Sequence, residues 1–162
     1  MRKLSNQLLT AAAVMACVFM TAPLSIAAKG HEWKSSEVIK PEQLVKMLSG
    51  KSKNKPLILQ VGFEFLYQGG HIPGSIFAGP ASQPDGISRL KNVVKNVSKS
   101  REIILYCGCC PWTECPNIRP AFDTMRKLGY KNVKVLNIPT NFEQDWISKG
   151  YPTEKADGAI SK

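Results

Sequence analysis

No apolar run in the sequence is long enough for a typical membrane-spanning helix. The longest such run, residues 8–22, has about 15 residues, whereas a spanning helix needs roughly 18 or more. Internal repeats, low-complexity stretches and long linkers are also absent, and no basic stripe carries interleaved aromatic residues. The formal net charge of +10 therefore does not indicate nucleic-acid binding; it modestly favours small anions or an anionic envelope surface. With 162 residues, the chain has the size of one domain.

The first residues have the organisation of a secretory signal peptide. Arg2 and Lys3 form a short cationic start, the apolar run follows, and small residues close it in the stretch SIAAKG. We predict a signal peptide over residues 1–28, with cleavage after Ala27 or Ala28. Subtracting the two cations Arg2 and Lys3 from +10 leaves the domain, residues 29–162, a net charge of +8. We expect it to be exported, periplasmic or secreted, with no stable membrane insertion after cleavage.

Two other interpretations of this segment stay open. An uncleaved segment would act as a membrane anchor. A lipoprotein signal would end at Cys17, but the bulky Met15 stands where a small residue is usual, and further apolar residues follow Cys17. In each case the domain leaves the cytosol, and an oxidising compartment permits disulfides.

Cysteine is scarce outside one short stretch. The chain has five cysteines, and Cys17 would leave with the signal. The other four lie in YCGCCPWTECPN, residues 106–117, at Cys107, Cys109, Cys110 and Cys115.

Strand-like and helix-like segments alternate along the domain. The continuous apolar runs are typical of strands buried on both faces, and the helical segments are bounded by cap and stop residues such as Asn117 and Gly129. This alternation predicts an open α/β sheet, mostly parallel and flanked by helices. The cysteine stretch would lie at the carboxyl end of a strand, where such sheets bind ligands. We predict strands at residues 37–39, 57–61, 75–77, 102–107 and 132–138, and helices after Pro41, across 85–100 and after Asn117.

Three separated stretches resemble the rhodanese-like family. They are GGHIPGSI after the first central strand, EIILYC ending on a cysteine, and WISKGYP near the end, with RKLGYKNVKVLNI between them. Their order and spacing identify the domain as a single rhodanese-like domain with its core at about residues 36–152. The resemblance implies an α/β fold and an enzyme that moves sulfane sulfur through a cysteine persulfide. Carried over by position, Cys107 is the persulfide-forming, catalytic residue, and the amides of the following loop hold the persulfide.

The loop departs from the family pattern. The family arginine stands about five residues after the cysteine, whereas Arg119 is twelve residues beyond Cys107. Gln60 and Gly62 replace the strand-end acid and arginine common in the family. The predicted active-site loop is therefore an extended, cysteine-rich variant; it comprises Gly108, Cys109, Cys110, Trp112, Cys115 and Arg119.

Sulfur transfer needs a thiolate, because the thiol is a poor nucleophile. A helix N-terminus and a nearby cation both lower a cysteine pKa. We expect both effects at Cys107, from the helix beginning near Asn117 and from Arg119 in its first turn. A buried, inert cysteine at a strand end is the alternative.

Cys109, Cys110 and Cys115 admit three interpretations. A disulfide, with Cys110–Cys115 as the best brace, suits an exported protein, although the sequence cannot choose the pairing. A neighbouring thiol could instead resolve a Cys107 persulfide by exchange. Four thiolates could also bind zinc, copper or an iron–sulfur cluster, although thiolates so crowded along one short loop would struggle to surround an ion tetrahedrally. We expect no metal and no cofactor.

Other features narrow the chemistry. No cysteine in the loop begins the C-x5-R pattern of cysteine phosphatases and arsenate reductases. Trp112 is expected to anchor the loop against the body, with a substrate-facing role as the alternative. Glu114 would oppose anionic substrates and so favours a neutral or protein-borne sulfur acceptor.

We therefore predict an exported, monomeric sulfurtransferase whose partner is a small sulfur-containing anion or a protein thiol. The alternative is a non-catalytic rhodanese-fold module whose loop binds a metal or exchanges disulfides with a partner.

Overall fold

Five parallel strands form the central sheet, in the order β1-β5-β4-β2-β3. The central strand β4 is buried at every residue, which explains its uninterrupted apolar sequence, because helices cover both faces of such a sheet. Gln60 pairs with Tyr106 at the end of the β2–β4 ladder. The sheet confirms the predicted mostly parallel α/β architecture. Its strands are β1 (Val38–Ile39), β2 (Leu57–Gln60), β3 (Ile76–Phe77), β4 (Ile103–Tyr106) and β5 (Val133–Leu136).

The structure is a computed structural model that describes residues 32–52, 54–156 and 160–161. The predicted signal peptide, Cys17 and the cleavage sites after Ala27 and Ala28 lie outside these residues. The chain divides into two units, 1–32 and 33–162, and the sheet and its flanking helices belong to the second. Within the described ranges, no helix has the length and apolarity needed to cross a membrane.

Helices flank the sheet, and two short turns and a two-stranded sheet complete the unit. The helix after Pro41 begins there as predicted, and Gly129 adopts a φ of 88° just beyond α4. The predicted helix across residues 85–100 ends at Val94. The short helix α2 has no counterpart among the predictions. The elements are α1 (Pro41–Ser49), α2 (Glu64–Gly69), α3 (Pro84–Val94), α4 (Ile118–Lys127), a 3-10 turn (Ser35–Glu37), a π-helical turn (Glu143–Ile147), and antiparallel β6 (Thr153–Glu154) and β7 (Ile160–Ser161).

Alternate residues of β2, β4 and β5 contribute to two separate cores. Leu105 packs with α3 and α4 on one face. Its neighbours Ile104 and Tyr106 pack with α1 and the π-helical turn on the other. Strand β4 is therefore fixed from both sides at the point where it reaches the cysteine stretch.

Candidate active site

Cys107 lies at the carboxyl end of β4, directly beside the chain that leaves β2. Only 4 % of Cys107 is exposed. Gln60 Nε2 donates to the Cys107 carbonyl at 3.2 Å, and the Gly62 N–H donates to Gln60 Oε1 at 3.2 Å. A Cβ on Gly62 would lie 2.7 Å from Cys107 Sγ, so only glycine leaves room for this thiol. The two departures noted at Gln60 and Gly62 thus position the cysteine.

The loop turns back at Gly108. Gly108 has a φ of 92°, a backbone conformation that residues other than glycine rarely adopt. Its carbonyl accepts from the Phe142 N–H at 3.0 Å, and the Trp112 N–H donates to the Ile138 carbonyl at 3.0 Å. The cysteine loop, residues 107–117, is therefore fastened to the segment that follows β5.

Trp112 packs inward, as the anchoring interpretation expects. It is partly buried against the α3–α4 core, and its ring lies 5.3 Å from that of Trp33. The Arg119 guanidinium lies 3.7 Å from the centre of the same Trp33 ring. The expected role of Arg119 beside Cys107 is therefore not the arrangement found, because the arginine stacks on the indole instead.

The four thiols are close together and are not joined by disulfide bonds. Cys107 Sγ lies 3.3 Å from Cys109 Sγ, and Cys109 Sγ lies 3.2 Å from Cys110 Sγ. All four cysteines are free, with Cys107 and Cys115 buried and Cys109 exposed. The predicted Cys110–Cys115 disulfide is not formed in this reduced arrangement and stays a prediction for the oxidised protein.

Asn117 is a site residue that the sequence argument placed only as a helix cap. It is fully buried, and its side chain makes no capping hydrogen bond. Its Nδ2 donates to Cys107 Sγ at 3.4 Å, and its Oδ1 accepts from the Ser82 N–H at 2.9 Å. An asparagine before a helix is typical of a cap, so the sequence carried no signal for this role.

The thiols share their protons unequally. Hydrogen bonds with Cys109 and Cys115 raise the pKa of Cys107, and burial raises it further. The hydrogen bond between Cys107 and Cys109 lowers the pKa of Cys109 to about 5. The hydrogen bond between Cys107 and Cys115 lowers the pKa of Cys115 to about 7, with help from the backbone N–H groups of Asn117 and Ile118. Desolvation is the main cause that raises the pKa of Cys110, to about 12.

The expected lowering of the Cys107 pKa is therefore wrong for the reduced cluster. The N-terminal amides of α4 reach Cys115 rather than Cys107, and Arg119 stacks on Trp33. The lowered pKa values favour the thiolate form of Cys109 and Cys115, and the raised pKa favours the protonated form of Cys107.

A cavity of about 620 Å³ opens beside the cysteines. Cys107, Gly108 and Cys109 line it, whereas the other predicted loop residues, Cys110, Trp112, Cys115 and Arg119, are outside its lining. No lysine or arginine occurs among the described residues that line it. Its walls are mainly apolar, from Phe63, Phe65, Leu66, Phe142 and Ile147, with Glu143 as the one acid.

Comparison with known proteins gives a consistent result. The family model described as the rhodanese-like domain matches residues 40–138. A rhodanese-like domain from Anabaena sp. is 22% identical with a TM-score of 0.55, over 74% of this chain and 79% of that one. A protein from Bacillus halodurans is 22% identical with a TM-score of 0.59, over 78% and 82%. A single-domain sulfurtransferase from Saccharomyces cerevisiae is 17% identical with a TM-score of 0.53, over 74% and 95%. No curated protein sequence matches.

Proposed function

Because this chain belongs to the rhodanese-like domain family, we propose that it is an exported sulfurtransferase carrying sulfane sulfur as a persulfide on Cys107. One observation carries the proposal. Cys107 stands at the carboxyl end of β4 and lines a cavity, and its sulfur accepts a hydrogen bond from Asn117. Ligands bind at this edge of open α/β sheets.

The neighbouring Cys109, as a thiolate, supplies the base that Cys107 needs. Cys109 Sγ is 3.3 Å from Cys107 Sγ, within reach of its proton. In the transfer step Cys107 Sγ attacks the sulfane sulfur of the donor and its proton passes to Cys109. The bond between the sulfane sulfur and the rest of the donor breaks, and the donor leaves with the electron pair as a thiolate or, from thiosulfate, as sulfite. Cys107 is left as a persulfide, and the number of electrons is conserved.

The cavity favours a persulfide donor over a small dianion. Its described lining offers no cationic side chain, while aromatic and aliphatic side chains form most of its walls. Thiosulfate would enter without a countercharge, whereas the persulfide of a small thiol or of a protein cysteine presents apolar carbon beside the reacting sulfur. Glu114, exposed on the loop, acts in the same direction.

The persulfide can leave by two routes. An external thiol can take the outer sulfur and restore Cys107. Alternatively, Cys109 attacks the inner sulfur, forming a Cys107–Cys109 disulfide and expelling hydrosulfide, so that the two thiols are oxidised and the sulfane sulfur is reduced. The 3.3 Å separation supports the second route, which then requires an external dithiol to reset the enzyme.

The cell compartment belongs to the same proposal. The cationic start, apolar run and small-residue exit of residues 1–28 support export by a cleaved signal, to a periplasm or to the medium, of a monomer without a cofactor. N-terminal sequencing of the protein from the periplasm or medium is expected to begin at residue 28 or 29. Retention of the full chain in the cytosol would contradict this part.

Sulfur loading tests the central claim. Reduced, metal-free protein is treated with a glutathione persulfide donor and, separately, with thiosulfate, and its intact mass is measured. We expect a gain of one sulfur atom, mapped to Cys107 and faster with the persulfide. Cys107→Ser should lose the adduct, and the matched Cys110→Ser variant should keep it. A protein that neither gains sulfur nor forms the Cys107–Cys109 disulfide, seen as a loss of two hydrogens, with either donor would be the non-catalytic module of the alternative.

A further inference from the structure

Three cysteine sulfurs converge on one point. The Sγ atoms of Cys107, Cys109 and Cys115 all lie within 4.8 Å of one another, and the separation between Cys107 and Cys109 is 3.3 Å. Three thiolates bound to one ion at about 2.3 Å in a plane stand about 4 Å apart. The 3.3 Å separation and the 4.8 Å upper limit lie on either side of that value, so small side-chain movements are enough to enclose an ion.

The three sulfurs come from different parts of the backbone. Cys107 directly follows β4, Cys109 follows the left-handed turn at Gly108, and Cys115 precedes α4. Because the chain reverses between them, the sulfurs face a common centre. The expectation that these thiolates would struggle to surround an ion tetrahedrally leaves binding by three sulfurs open.

We infer that Cys107, Cys109 and Cys115 bind one copper(I) ion through three thiolate sulfurs. Soft thiolate ligands select copper(I), zinc or iron–sulfur clusters. Structural zinc takes four ligands, and among the described residues the convergent group has three. Cys110 touches Cys109 at 3.2 Å but does not belong to that group. Binding displaces the thiol protons and transfers no electron, so no oxidant or reductant is needed.

The surroundings fit an anionic copper–thiolate centre. Asn117 Nδ2 donates to Cys107 Sγ at 3.4 Å. Backbone N–H groups of Asn117 and Ile118 point at Cys115, and the N-terminal end of α4 carries a partial positive charge. These donors offset the charge of three thiolates around a monovalent ion.

Burial is graded across the three ligands. Cys107 and Cys115 are 4% and 5% exposed, whereas Cys109 is exposed. An incoming ion can therefore meet Cys109 first and then exchange its previous ligands for the two buried sulfurs. Cys107 is both a proposed copper ligand and the proposed persulfide-forming residue. A bound copper(I) ion and a Cys107 persulfide therefore exclude each other.

The test is a copper(I) titration of the metal-free, fully reduced protein under anaerobic conditions, with bicinchoninate as the competing chelator. We expect one equivalent of copper(I) to be held by the protein. X-ray absorption of the unmodified protein should show a first shell of three sulfurs.

Serine variants assign the ligands. Loss of an outer-sphere partner weakens metal binding about 10–100-fold, and we expect Cys107→Ser, Cys109→Ser and Cys115→Ser each to exceed about 100-fold. Cys110→Ser, in the same loop, should leave the affinity unchanged, and circular dichroism checks the fold of every variant.

Three results would overturn the inference. They are complete transfer of the copper(I) from the protein to bicinchoninate, a first shell of four sulfurs, or a loss of copper(I) affinity in Cys110→Ser equal to that in the three ligand variants. Sulfur loading is measured on metal-free protein, so the two proposals can fail independently.

Discussion

The buried and the exposed cysteines of one loop differ more from each other than their spacing suggests. Cys107 and Cys115 are packed in the α3–α4 core, whereas Cys109 is exposed and Cys110 is partly exposed. Every hydrogen bond that the site offers from Asn117 and the start of α4 goes to the buried pair. The comparison teaches that the fold fixes the positions of the two buried sulfurs and leaves access to the exposed Cys109, whereas a lowered pKa is shared by Cys109 and the buried Cys115.

The most direct way to break this comparison is to take away the space around Cys107. In Gly62→Ala the new Cβ would lie 2.7 Å from Cys107 Sγ and 2.9 Å from Gln60 Nε2. Displacing a reacting atom by about 1 Å slows catalysis about 100-fold, so we expect sulfur loading to slow by about that factor. Intact-mass time courses measure it.

The matched control is Gly129→Ala, where a Cβ meets nothing within 4 Å and which lies outside the lining of the cavity. It should load sulfur at the rate of the unmodified protein. Equal rates for the two variants would mean that the position of Cys107 is not set by Gly62.

Removing the buried amide is the next largest change. Asn117→Ala leaves the Ser82 N–H without its acceptor and Cys107 without its donor. A buried group left unsatisfied costs about 1–3 kcal/mol, so we expect the free energy of unfolding to fall by that amount in urea denaturation of the reduced protein.

Asn132→Ala deletes an exposed amide that donates to the Ser100 carbonyl at 3.0 Å. Surface changes of this kind stay within about 0.5 kcal/mol. If both variants lose the same stability, burial does not distinguish Asn117.

The turn between the two kinds of cysteine can be tested with two glycines of similar conformation. Gly108 and Gly129 have φ values of 92° and 88°. A Cβ on Gly108 would lie 2.7 Å from Phe142 Cβ, whereas one on Gly129 meets nothing within 4 Å. Gly129→Ala should cost about 1 kcal/mol from backbone strain alone.

Gly108→Ala should cost about 1–3 kcal/mol more, because overpacking adds to the strain. The difference between the two midpoints in thermal unfolding measures the contact with Phe142. Identical losses would show that the loop can move away from that ring.

The smallest change in stability is expected for Cys110, the partly exposed cysteine. Cys110→Ser should change stability by less than about 0.5 kcal/mol, since Cys110 is only partly buried. Cys115→Ser removes a buried sulfur, and we expect a loss of about 1–3 kcal/mol. Urea denaturation of the two reduced variants compares them, and a reversed order would break the distinction between buried and exposed cysteines.

The sheet was predictable because a strand that is buried on both faces has a continuous apolar sequence. Strand β4 is buried at every position, and Cys107 follows it directly. The short helix α2 was missed, since six residues give little periodicity. The convergence of three sulfurs was not predictable, because it depends on the reversal at Gly108, a conformation that the spacing of the cysteines does not encode.

The arrangement around α4 shows the same limit. Asn117 and Arg119 are two residues apart, and residues at that spacing do not share a helix face. Asn117 therefore meets Cys107 while Arg119 lies over Trp33. A first-turn arginine looks available to the site from the sequence, and only the direction of the helix shows that it is not.

The contact between Trp33 and Trp112 makes the loop observable without a label. Their rings lie 5.3 Å apart, and Trp112 belongs to the same short loop as the three converging sulfurs. Trp146, fully buried in the opposite core, is the only other tryptophan in the chain and serves as an internal reference. Copper(I) or sulfur arriving at the cysteines should therefore change the emission of the tryptophan pair, so that the intrinsic fluorescence of the protein reports the occupancy of its own site.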